Sequence, residues 1–144
     1  MSAEVRYYSR SGHTRKLAEA IAKETGAFAF THPFGCSQLG GDHKRTQLIL
    51  RGLVKHPNAG GVLVLGLGCE NNRILAFKEI LGDVDEERVR FLNCQDCRDE
   101  ISEGVKAVKE LQAKAAADRR VPVPASKLVI GLKCGGSDGL SGIT

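Results

Sequence analysis

Val62-Leu63-Val64-Leu65-Gly66-Leu67-Gly68-Cys69-Glu70-Asn71-Asn72 is an apolar run that opens directly into a loop carrying glycine, a thiol, a carboxylate and two amides. A short β-branched run bounded by glycine reads as a strand, and one apolar at every position reads as a strand covered on both faces. Four more runs, at residues 5–8, 27–30, 89–92 and 128–132, share the pattern. The first leads to Ser9-Arg10-Ser11-Gly12-His13-Thr14, the second to His32-Pro33-Phe34-Gly35-Cys36. The fourth leads to Asn93-Cys94-Gln95-Asp96-Cys97, the last to Lys133-Cys134-Gly135-Gly136-Ser137-Asp138. Parallel strands would place all these loops on one rim, where open α/β sheets bind their ligands.

The segments between the runs carry helical spacing. Leu17, Ala18, Ile21 and Ala22 share a face over residues 15–25, with Gly26 as a stop. Asp42 reads as the N-cap of a helix through His56 with Ile49, Leu50, Leu53 and Val54 as its stripe. Asn72 reads as the cap of a third helix, and residues 99–119 form the longest, with Ile101, Val105, Val108 and Leu111 in phase. This alternation predicts an α/β fold over residues 1–144 as a single domain. It would be a three-layer flavodoxin-like sandwich on a five-stranded parallel sheet, ordered 2-1-3-4-5, whose final helix is missing. Pro122 and Pro124 mark an extended linker into the last strand.

The chain of 144 residues is long enough for one domain with a core. A net charge of +4, with few aromatics and no long basic run, argues against nucleic acid and for no more than a mild attraction to small anions. No stretch is apolar enough for a membrane span and no signal-peptide profile opens the chain. An odd count of five cysteines reads as thiols, which places the chain in the cytoplasm. The uncovered edge of a fifth strand would favour a homodimer.

Ser9, Arg10, Ser11, Gly12, His13 and Thr14, between strand and helix, make an anion site by the helix dipole, open amides and hydroxyls. A capped helix start explains the same residues. Residues 1–26 resemble the flavodoxin phosphate loop, which implies FMN or phosphate as ligand. The loops after strands 3 and 4 hold no aromatic residue, and each missing stacking partner costs about a kcal/mol, so phosphate would bind without tight flavin.

Residues 27–144 resemble the altronate and galactarate dehydratases on His32-Pro33-Phe34-Gly35-Cys36, Asp42-His43, His56-Pro57-Asn58-Ala59-Gly60-Gly61, Gly66-Leu67-Gly68-Cys69-Glu70-Asn71 and the stretch from Lys133 to Thr144. That resemblance implies a metal-dependent hydro-lyase, commonly using iron, that removes water from sugar acids. The reaction needs a base beside the carboxylate and a Lewis acid. His43 or Lys133 would be the catalytic base, and His32, Cys69, Glu70 and Cys134 would converge on a divalent metal. Plainer roles are a loop-shaping His32, an exposed His43, and Cys36, Cys69 and Cys134 as small buried hydrophobes. Cys94-x-x-Cys97 without a second pair is weak as a zinc or redox motif.

Together the two resemblances imply a chimera, natural or engineered, joined near residues 26–31 and unable to complete turnover alone. The alternatives are an FMN- or phosphate-binding module and a folding chimera without activity of its own.

Overall fold

The computed structural model describes residues 2–8 through their backbone and residues 12–32, 34 and 36–131 in full. Four parallel strands form one sheet: β1 (Ser2–Tyr8), β2 (Phe28–His32), β3 (Ala59–Gly66) and β4 (Val89–Asn93), in the order β2-β1-β3-β4. The register places Val5 of β1 between Ala29 of β2 and Leu63 of β3. Helices α1 (His13–Thr25), α2 (Gly40–Val54), α3 (Ile74–Leu81) and α4 (Glu100–Ala116) connect or follow the strands.

Alternation along β3 divides the core in two. Leu63 and Leu65 pack with Leu17, Ala18 and Ile21 of α1 and with Val108 and Leu111 of α4. Each of these large side chains contributes about 1.5–3 kcal/mol by leaving water. The fit is tight: a Cβ on Gly104 would lie 2.3 Å from Ile21 Cδ1, so α4 approaches α1 only because that position is bare. Val62 faces the other way, into a smaller cluster with Val54, Phe77, Leu81 and Val89. That second layer stops short of β2. Ala27 and Ala29 join the α1–α4 core, whereas Phe28 and Phe30, on the opposite face by strand alternation, are 60% and 40% exposed.

The helix ends follow local chemistry in part. Asp99 caps α4, accepting from the Ser102 N–H at 3.0 Å and its hydroxyl at 2.6 Å, which holds its carboxyl below the usual range. Asp42 does not cap α2, which starts at Gly40 and carries Asp42 in its first turn; Arg73, not Asn72, holds the cap position of α3.

The five-stranded flavodoxin-like sandwich expected from the sequence does not form. The run that was to supply the fifth strand stays extended and unpaired through Gly131, with Leu128, Val129 and Ile130 at 71%, 91% and 71% exposure. Its physical reason lies upstream. After α4 the chain is tied back at Asp118, which accepts a forked pair of hydrogen bonds from Arg88, at 3.0 and 2.6 Å. Pro122 and Pro124 then carry it on without a donor for a ladder, and among the described residues no helix follows to cover another apolar strand. Among the described residues, no helix is long and apolar enough to cross a membrane.

Candidate active site

The loop after β3 is the most strongly braced part of the rim. Glu70 folds back beneath its own turn, 3% exposed, accepting from the Leu67 N–H at 3.0 Å through Oε1 and from the Gly68 N–H at 2.6 Å through Oε2. Two amide dipoles thus compensate a buried carboxylate. The turn demands glycine at position 68, where φ is +120° and a Cβ would meet Gln95 Oε1 at 2.6 Å. From the other side Gln95 donates its N–H to the Leu67 carbonyl at 3.2 Å.

The neighbouring loop, after β2, is fastened to this one. Asn71 Nδ2 donates to the carbonyls of Cys36 at 3.2 Å and Gln38 at 3.0 Å, and the Cys36 thiol points at the Cys69 carbonyl at 3.7 Å. Behind the loops, Gln47 of α2 donates to Asn72 Oδ1 at 2.9 Å. His43, Gln47, Leu50 and Val54 lie at i, i+4, i+7 and i+11, so one stripe of α2 faces the sheet end. Beneath them a cleft of about 40 Å³ is lined by His32, Glu70 and Asn72 with Leu50, Ile74 and Phe77 among its apolar walls. That volume holds only a few waters, so the described residues frame one end of a ligand rather than a whole sugar acid.

His32 sits at the mouth of this cleft. Burial first, and the nearby His43 second, push its pKa down to about 4. It is therefore neutral near pH 7, and its Nδ1 accepts from the Phe34 N–H at 3.4 Å. His43 is half-buried in the first turns of α2. The rim accordingly gathers His32, His43 and Glu70, with Cys69 exposed at the outer edge of the same loop as Glu70.

Lys133 and Cys134 lie outside the described residues. Among the described residues, no group of three His, Cys, Asp or Glu side chains stands where it could hold a metal ion, and both Glu70 oxygens are engaged by backbone amides. Of the four residues expected as metal ligands, His32, Cys69 and Glu70 are therefore not gathered into such a group, and the fourth, Cys134, lies outside the described residues. Cys94 and Cys97 are poor redox partners: burial and then Glu100 raise the Cys94 pKa to about 12, while burial and then Glu103 raise that of Cys97 to about 11.

At the first loop, Ser9, Arg10 and Ser11 lie outside the described residues. Gly12 occupies the N-cap of α1 at φ +83° with no side-chain cap. His13 meets the Glu100 carboxylate at 2.9 Å, which sets a negative charge beside the expected anion site. Thr14 is 1% exposed on the inward stripe with Leu17, Ala18 and Ile21, and its buried hydroxyl has no hydrogen-bond partner among the described residues.

Gln47 is not among the site residues that the sequence suggests, although it stands as a polar residue one turn from both His43 and Leu50. Asn71 and Asn72 were visible as loop residues, but their partners Cys36, Gln38 and Gln47 lie 25 or more positions away.

Comparison with known proteins accounts for this rim. The sequence model of the D-galactarate dehydratase/altronate hydrolase second domain matches residues 7–116. The altronate dehydratases of Escherichia coli (strain K12) and Bacillus subtilis (strain 168) are each 50% identical over 141 residues, covering 93% of this chain and 28% of theirs. The galactarate dehydratase (L-threo-forming) of Escherichia coli (strain K12) is 35% identical over 98 residues, 62% of this chain and 19% of that protein. No solved structure matches. A family match that begins at Tyr7 reaches across the expected junction near residues 26–31, so a fused flavodoxin unit finds no support. With a match over residues 7–116 and half-identical relatives of which it spans little more than a quarter, the chain belongs to the D-galactarate dehydratase/altronate hydrolase family as its second domain.

Proposed function

We propose that this domain forms one wall of a sugar-acid dehydratase active site, acting on altronate or a galactarate-type acid, with His43 as the base. The carrying observation is that His32, Glu70 and Asn72 line one small cleft where β2 and β3 end, with His43 of α2 near enough to His32 to act on its charge. Dehydration breaks the C2–H bond and sends its proton to the base; the C3–O bond then breaks, the departing hydroxide takes a proton back from the base to leave as water, and the enol that remains tautomerises to a 2-keto-3-deoxy acid. His43 suits the first step because it is half-buried and near His32, whose neutral ring adds no competing charge at neutral pH. Gln47 and Asn72 position the loop that would meet the substrate.

Proton abstraction can be read without full turnover. Incubation of altronate with the chain in D2O, followed by proton NMR, is expected to show loss of the C2–H signal. His43→Gln should bind altronate in calorimetry but leave that signal intact. Exchange unchanged by the substitution would refute His43 as the base, and absence of altronate binding by either protein would refute the substrate wall.

A further inference from the structure

We propose that Cys36 and Cys69 are a reactive dithiol pair that closes into a disulfide between the loops after β2 and β3. The four described cysteines divide sharply. Cys94 is buried and Cys97 half-buried, with thiol pKa values raised to about 12 and about 11, so neither supplies much thiolate at neutral pH. Cys36 and Cys69 are both exposed, and the structure brings them together across 33 positions of sequence.

The Cys36 sulfur lies 3.7 Å from the Cys69 carbonyl oxygen. That contact sets the Cys36 thiol against the backbone of Cys69, so a rotation of the two side chains is what closure of the bridge asks for. The approach is supported from outside the pair, since Asn71 Nδ2 clasps the carbonyls of Cys36 and Gln38. Two loops already fastened to each other bring their thiols together faster than two that must first meet.

The chemistry balances with a peroxide as oxidant. One thiolate attacks hydrogen peroxide, breaking the O–O bond to give a sulfenic acid and releasing the first water. The second thiol displaces the sulfenic oxygen, the S–S bond forms, and the second water leaves with the remaining proton. Two electrons pass from the sulfurs to the peroxide. The bridge would tie the loop that follows His32 to the loop that carries Glu70 and Asn72, stiffening the mouth of the cleft.

The test is stoichiometric peroxide on the purified chain, followed by intact mass and non-reducing peptide mapping. Expected are a loss of about two mass units, disappearance of two titratable thiols, a Cys36–Cys69 cross-linked peptide, and reversal by dithiothreitol. Cys36→Ser and Cys69→Ser, each melting within a few degrees of the parent, should give no internal bridge and instead form a mixed disulfide with glutathione disulfide. Bridges to Cys94, Cys97 or Cys134, covalent dimers, or separate over-oxidation of the two thiols would overturn the pairing. So would thiols protected until a chelator is added, which would assign the pair to a bound soft metal.

Discussion

The side-chain amide of Gln47 donates to Asn72 Oδ1 at 2.9 Å, joining the inner stripe of α2 to the loop that leaves β3. Both residues are shielded from solvent, Gln47 to 7% exposure, so the bond is made where water does not readily replace it. Gln47→Leu should therefore destabilise the fold by about 1–2 kcal/mol through the orphaned Asn72 carbonyl oxygen. Urea unfolding of the single and double variants checks this: Asn72→Leu in the Gln47→Leu background should cost less than alone.

Glu70 accepts two backbone N–H groups, one on each oxygen, which a glutamine cannot reproduce because its amide nitrogen would face a donor. Glu70→Gln is expected to lose about 2 kcal/mol, measured by thermal or urea unfolding. Gly68→Ala should cost a similar amount or more, since φ is +120° and the new methyl group would press on Gln95 and Asn93.

His32 makes stability depend on pH in a defined window. Its folded pKa of about 4 is below the 6.5 of a free imidazole, so between those values the unfolded chain binds the extra proton and the folded chain does not. Stability should fall as pH drops from 6.5 towards 4 and then level off as far as this group is concerned. The ring is only half-buried, and screening by water reduces the effect to roughly 1–2 kcal/mol. Urea midpoints across pH should flatten in that window for His32→Gln.

Residues 119–131 are exposed throughout, beyond the clasp of Arg88 on Asp118. Trypsin under native conditions should cut first at Arg119, Arg120 and Lys127, leaving a fragment that melts cooperatively. Mass mapping of the first products decides the matter. Protection of Lys127 until the core itself is digested would mean that the run after it packs on the sheet.

The legible elements are those in which neighbouring residues suffice. The continuous apolar residues of β3 signal a strand covered on both faces, and Leu17, Ala18 and Ile21 recur at the spacing of one buried helical face. The start of the long helix at Asp99 is legible because the capping is local: both donors to its carboxylate, the Ser102 N–H and hydroxyl, sit three residues away. The rim residues are readable as a set, since strands of one direction deliver their loops to one side.

Less legible are the features that need a partner far along the chain. Glu70 looks like an available ligand in sequence, whereas the turn it closes engages both its oxygens. Residues 128–130 have the composition of a buried strand, but strand formation needs a neighbour to pair with and a layer to cover it, and the chain meets neither there.

By itself the sequence determined the succession of strands and helices in residues 2–116, the grouping of reactive loops at the strand ends, and the family to which the domain belongs. These follow from periodicity and local hydrogen bonding, which act over a few residues. Tertiary structure alone decided that residues 128–131 add no strand beside β4, that Gln47 reaches Asn72, that His32 is held neutral, and that Cys36 meets Cys69. Each of these is set by burial and by contact between segments far apart in the chain, quantities that exist only once the strands have assembled.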